Sequence, residues 1–199
     1  MSRPADILIT VLGAGRAARF GADKLVQRCA GRPLGAWALE AALQAGRTQG
    51  APVIWIAGER APDFVTCEVA LHPRAAEGIG TSVALAAACA RDRGVRALLI
   101  LLADMPLVRA DLLARLIAAG APAACRQADG RPGVPALIPA SAFPALMALT
   151  GDRGAGPVLA AMAGLTLLDC APRQLLDVDR PEALAEAAAL LEALPPTPD

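Results

Sequence analysis

Short apolar runs alternate with stretches of helical pattern along most of the chain, which is the sequence form of βαβ units. Strands are expected at 7–12, 53–57, 67–71, 97–102, 121–125, 134–138 and 165–168. Helices are expected at 34–44, 81–91, 110–119, 142–149, 157–163 and 181–194. The runs 7–12 and 97–102 are apolar on both faces, as central parallel strands covered by helices on each side must be. Gly, Pro and short polar clusters separate the elements, without a repeat or a low-complexity linker. The pattern predicts one α/β domain over 1–194: three layers, Rossmann-like, with a mostly parallel central sheet. Pro195-Pro196-Thr197-Pro198-Asp199 reads as a disordered tail.

Composition narrows the class. A chain of 199 residues that is 55% hydrophobic has enough apolar material for one such core. Nineteen basic and nineteen acidic side chains cancel, which argues against a nucleic-acid partner. Aromatics are only 3%, with no Tyr, so base-stacking platforms are not expected either. The run 7–12 is too short for the hydrophobic region of a signal peptide and far too short to span a membrane. Cys29, Cys67, Cys89, Cys125 and Cys170 are scattered, with no CxxC pair, and read as reduced thiols of a cytoplasmic protein. The single His72 excludes a metal centre built on histidines.

The most informative segment follows the first strand: Leu12-Gly13-Ala14-Gly15-Arg16-Ala17-Ala18-Arg19-Phe20-Gly21-Ala22-Asp23-Lys24. It should leave the sheet at its carboxyl edge, where open α/β sheets bind ligands. Glycines there let backbone N–H groups close on phosphate oxygens, and Arg16, Arg19 and Lys24 add positive charge. Lys24 is the only lysine; the other eighteen basic residues are arginine, which points to a role for a compact ammonium at this place. Gly13-x-Gly15-x-x-Ala18 formally fits the dinucleotide pattern. That pattern needs an acidic residue about twenty positions on, whereas Glu59, after the next strand, stands about forty-four beyond Gly15. No G-K-[ST] is present, so the P-loop pattern fails as well.

The segment resembles the L-x-[AG]-G-x-x-x-R-x-G-x-x-K loop of the nucleotidyltransferase superfamily that acts on sugar phosphates and on the pterin molybdenum cofactor. The resemblance continues in Gly31-Arg32-Pro33-Leu34, Glu77-Gly78-Ile79-Gly80-Thr81-Ser82-Val83, Asp104-Met105-Pro106 and Asp177-Val178-Asp179-Arg180-Pro181-Glu182. Within the superfamily it is nearest the molybdenum cofactor cytidylyltransferases. Ala14, Phe20 and the run Gly151-Asp152-Arg153-Gly154-Ala155 carry that choice against the guanylyltransferase branch. Gly13 departs from the Ala usual in the cytidylyl branch. Val134 departs from a polar residue in the segment 126–135, and Arg180 from the usual Thr.

The resemblance implies transfer of CMP from CTP to the phosphate of a molybdopterin-type cofactor, giving the cytosine dinucleotide form and pyrophosphate. An attacking phosphate is already anionic, so positioning and charge neutralisation suffice. That suits a chain with one histidine and no evident nucleophile–base pair. The implied catalytic residues are Arg19, Lys24 and Asp104. The nucleotide would lie on Leu12, Gly13, Ala14, Gly15, Arg19, Lys24, Gly80, Ser82 and Asp104. Mg²⁺ is the implied cofactor, held by Asp104 and Asp179, with Asp177 the alternative second ligand. Segments 126–135 and 151–154 would face the pterin, with Arg153 available to grip its phosphate. A molybdoenzyme client of the xanthine or carbon monoxide dehydrogenase class, with a handover partner, is also implied. A guanylyl- or sugar-phosphate nucleotidyltransferase, and a non-catalytic nucleotide- or cofactor-binding chaperone, stay open as alternatives.

Overall fold

Neighbouring residues of the central strands point to opposite faces and are buried on both, so the sheet must carry helices on each side. A computed structural model of the protein describes residues 6–15, 24–171 and 173–193. The expected tail and Arg19 lie outside them. In chain order the elements are β1 (Ile7–Leu12), β2 (Arg28–Cys29), β3 (Arg32–Pro33), α1 (Leu34–Gln49), β4 (Val53–Ala57), β5 (Glu68–Leu71) and α2 (Ile79–Asp92). They continue with β6 (Ala97–Leu102), α3 (Ala110–Ala119), β7 (Ala123–Arg126), β8 (Pro132–Pro139), α4 (Phe143–Met147), α5 (Gly156–Ala160), β9 (Thr166–Leu168) and α6 (Pro181–Glu192).

The main sheet has seven strands in the order β5-β4-β1-β6-β8-β7-β9. Every strand is parallel to β1 except β8, which runs antiparallel to β6 and β7. This is the expected mostly parallel α/β sheet. The register Leu12↔Leu102 between β1 and β6, extended by a hydrogen bond from Ala103 N–H to the Leu12 carbonyl (3.0 Å), brings the ends of these two strands side by side.

Ile9, Val11, Leu99 and Leu101 pack with Ala38 and Leu39 of α1 and Leu112, Leu113 and Leu116 of α3 on one face. Leu8, Leu98 and Ile100 pack with Val83, Ala86 and Ala87 of α2, and with Leu146 and Leu159 of α4 and α5, on the other. A third cluster joins Cys29 and Leu34 to Val178 and Ala187, tying α6 and the segment before it to the start of α1.

The expected elements all form; 7–12, 53–57, 97–102 and 110–119 match at both ends, and the others have shifted ends. α1 runs five residues past 44 to Gln49, through Gly46, where a Cβ would stand 2.8 Å from the Ala51 carbonyl oxygen. The two-residue strands β2 and β3 form a small antiparallel pair that the pattern does not announce. Their turn is made by Ala30 (φ 48°) and Gly31 (φ 78°). Among the described residues, no helix is long and apolar enough to cross a membrane.

Candidate active site

A cleft of about 290 Å³ opens at the carboxyl ends of β1 and β6. Leu12, Gly13, Ala14, Gly15, Lys24, Ser82 and Asp104 line it, so seven of the residues expected to meet the nucleotide come together there. Ile79, in the turn that carries Ser82, lines it too, and so does Asp152, from the segment expected to face the pterin. Gly15 has open space where a Cβ would be, which leaves its backbone free to approach a ligand.

Gly80, expected at the nucleotide, has a different role. It is buried, does not line the cleft, and its N–H donates to the Gly151 carbonyl (2.9 Å). A Cβ on Gly80 would meet the Arg153 carbonyl oxygen at 2.7 Å. A Cβ on Gly78 would meet the Gly151 carbonyl at 2.3 Å, and Gly78 also has φ 111°. Both glycines therefore let the 150–153 loop close on the start of α2, and neither N–H is offered as an anion site. His72 holds the same turn from the other side. Its Nε2 lies 2.8 Å from Thr81 Oγ1, which lies 2.8 Å from the Gly78 carbonyl oxygen. Thr81 has one hydroxyl proton; donating it to Gly78 leaves the oxygen to accept from a neutral Nε2–H. Burial, helped by the Arg74 charge, holds the His72 pKa below its ordinary value.

Lys24 begins a short 3₁₀ turn, Lys24–Val26, after the glycine loop. Its Nζ lies 2.7 Å from Asp104 Oδ2 and 3.0 Å from Asp179 Oδ1, and donates to the Val178 carbonyl at 3.0 Å. Burial disfavours the ammonium, but the charges and hydrogen bonds of Asp104 and Asp179 outweigh it, and the pKa is raised. The segment 177–179 is held there by its backbone, Val178 N–H donating to the Asp104 carbonyl (3.0 Å).

Asp104, Asp177 and Asp179 each offer a carboxylate oxygen within 4.8 Å of the others. Asp177 is thus not an alternative to Asp179: both stand beside Asp104. An all-oxygen, all-carboxylate set suits a hard divalent cation such as Mg²⁺ or Mn²⁺. Asp104 Oδ1 is buried and, while Asp177 is ionised, has no hydrogen-bond donor, so it is an acceptor that a cation would satisfy. The residues present fit such an ion.

The crowding has a pH signature. Desolvation first, then the charges of Asp104 and Asp179, push the Asp177 carboxyl up to about 7, against the pull of Lys24. The folded protein therefore holds a proton that the unfolded chain gives up near pH 4, and the contribution of Asp177 to stability falls as pH rises from there through 7. In chelator, melting temperature should decline across that window, and Asp177→Asn should flatten the decline. An unchanged slope in the variant would remove Asp177 as its cause.

The residues expected to face the pterin divide. Asp152 reaches the main cleft, while Arg153 is exposed. Arg126 and Gln127 line a second cleft with Asp169, Cys170, Arg173, Leu175 and Leu176, and Arg126 Nε donates to Asp169 Oδ1 at 2.7 Å. This cleft lies at the ends of β7 and β9, on the same sheet edge, and Leu175 and Leu176 lead directly into Asp177.

Comparison with known proteins agrees with this geometry. The family described as the MobA-like NTP transferase domain matches residues 9–166. The purine catabolism protein PucB of Bacillus subtilis is 32% identical over 186 residues, 86% of this chain and 90% of that protein. The bifunctional protein GlmU of Geobacter metallireducens is 35% identical over 119 residues; the match spans 56% of this chain but only 24% of that longer protein. Among solved structures, Rv0371c of Mycobacterium tuberculosis H37Rv superposes with a TM-score of 0.74 at 26% identity, covering 94% of this chain and 100% of that one. The same protein has been solved as a complex with manganese, at a TM-score of 0.69 and 25% identity, covering 95% of this chain and 100% of that one.

Proposed function

The chain belongs to the MobA-like NTP transferase domain family, and from that premise we propose that it is a cytidylyltransferase of the molybdenum cofactor. It would join CMP from CTP to the cofactor's terminal phosphate. Nucleotidyl transfer itself is the family's reaction class. The observation that carries it here is the meeting of the glycine loop 13–15, Lys24 and the carboxylate of Asp104 in one cleft.

In the proposed reaction a phosphate oxygen of the cofactor attacks the α-phosphorus of CTP. The bond from that phosphorus to the bridging oxygen breaks, and pyrophosphate leaves with the electron pair. The backbone of 13–15 and Ser82 would orient the nucleotide. Lys24 and Arg19 would neutralise the polyphosphate and the charge developing on pyrophosphate. Asp104, Asp177 and Asp179 would hold Mg²⁺ or Mn²⁺, which supplies charge neutralisation at the phosphates. No proton has to be abstracted, in keeping with a cleft lined by no histidine. The cofactor would extend towards Arg126 and Gln127 at the second cleft.

The choice of CTP rests on Ala14, which lines the cleft, and on Gly151-Asp152-Arg153-Gly154-Ala155, whose Asp152 reaches it. A client of the xanthine dehydrogenase class accords with PucB's role in purine catabolism. The test is pyrophosphate release with molybdenum cofactor and Mg²⁺, comparing CTP, GTP, ATP and UTP. Release with CTP alone is the expected result. Release with GTP alone would move the chain to the guanylyl reading, and release with none would leave a binding role.

A further inference from the structure

An ammonium has three N–H donors, and those of Lys24 face three acceptors: Asp104 Oδ2 at 2.7 Å, Asp179 Oδ1 at 3.0 Å and the Val178 carbonyl at 3.0 Å. None is left for a phosphate. Yet among the described residues that line the cleft, Lys24 is the only cation. Two of its three acceptors also belong to the carboxylate group suited to a divalent ion. A divalent ion bound through Asp104 and Asp179 would sit within a few ångströms of the ammonium and repel it, while drawing charge from the same oxygens.

We propose that Lys24 is a displaceable counter-ion: its ammonium and a divalent cation are alternative partners of Asp104 and Asp179, and loading the cation releases Lys24 to the phosphates. This deepens the reading above and rests on it for the phosphate ligand. The ammonium offsets the mutual repulsion of three carboxylates. Lys24 lines the same cleft as the glycine loop 13–15, so rotation of its flexible stem can carry the ammonium from the carboxylates to a phosphate held there. Cation and nucleotide loading would then be coupled through one side chain, and an ammonium bound only to carboxylates would leave nucleotide without its lysine.

The first measurement is Mn²⁺ affinity without nucleotide, read from the electron paramagnetic resonance of free Mn²⁺. Lys24→Met should bind Mn²⁺ about tenfold tighter than wild type, a typical size for coupling between two occupants. Lys24→Arg, which keeps the charge, should not. Asp104→Asn should lose the site. Equal or weaker binding by Lys24→Met overturns the proposal, and so does the absence of Mn²⁺ binding in both proteins, because removing the competitor should expose the site.

The second measurement needs no variant. Lys24 is the only lysine in the chain, so peptide mapping after acetylation reports on this one side chain. Mn²⁺ should speed its acetylation about tenfold by the same coupling; an unchanged or slower rate overturns the proposal. A protein that exchanges Lys24 for Mn²⁺ but turns over no nucleotide would refute the transferase reading alone. An active enzyme whose Lys24 ignores Mn²⁺ would refute the exchange alone.

Discussion

Asp104→Asn is expected to lower nucleotide turnover by about 10²–10³-fold, the usual loss when one preorganised electrostatic group is removed from a reacting centre, while the fold is retained. The substitution keeps the shape of the side chain and removes only its charge. The main-chain bonds at this corner, Ala103 N–H to Leu12 and Val178 N–H to the Asp104 carbonyl, do not involve the side chain and persist. What changes is the environment of Lys24, which loses its shortest ion pair, and the carboxylate group, which loses its least exposed member. Asp152→Asn is the matched control: it also lines the cleft, but stands outside the carboxylate group and is exposed, so a much smaller effect is expected. Pyrophosphate release and circular dichroism on both variants check the prediction. A folded Asp104→Asn with wild-type turnover would take Asp104 out of the reaction.

Asp104 and the glycine loop could be paired from sequence because the strands that carry them announce themselves. The runs 7–12 and 97–102 are apolar at every position but Thr10, and only a doubly covered, central place in a sheet accommodates that. Once both strands are central and parallel, their carboxyl ends must lie together. The carboxylate partners are less legible. Asp177 and Asp179 lie two residues apart, the spacing that puts side chains on one side of an extended segment. That signal favours using both, and resemblance alone favoured one. The small β2–β3 pair was hidden because two-residue strands have no period to read. It matters all the same, since Cys29 and Leu34 pack on Val178 and Ala187 and so fix where the 177–179 segment runs.

Gly80 shows a different kind of illegibility. A glycine that admits a ligand and one that admits a neighbouring loop are the same letter. Only the 2.9 Å bond from Gly80 N–H to the Gly151 carbonyl distinguishes them. The 151–154 run, expected at the pterin, is instead partly a packing surface for the start of α2, with Asp152 the residue that reaches the cleft.

Gly13 is the position where a single methyl group should do the most damage to the fold. Its departure from the alanine of the cytidylyl branch has a local cause. A Cβ built on Gly13 would stand 2.2 Å from Cζ2, 2.3 Å from Cε2 and 2.6 Å from Nε1 of Trp55. The indole cannot easily yield. It is fully buried, meets Phe64 edge-on with ring centroids 5.7 Å apart, and lies under α1, where a Cβ on Gly35 would be 3.2 Å from its Cη2. Nor can the backbone move freely, because Gly13 N–H is bonded to the Ile56 carbonyl at 2.9 Å. Gly13→Ala should therefore cost about 3 kcal/mol, the upper part of the range for overpacked cores, and lower the melting temperature by about 6–12 °C for a chain of this size. Turnover should fall with it, because the shifted backbone lines the cleft. The cause is separable from a generic loss of glycine. Trp55→Val alone should also destabilise, by about 3–5 kcal/mol as a large side chain is cut away. In the double variant the new methyl group enters the space the indole leaves, so the two losses should fall short of additivity by more than about 1 kcal/mol. Strictly additive losses, measured by denaturant unfolding of the four proteins, would show that Trp55 is not what keeps residue 13 a glycine.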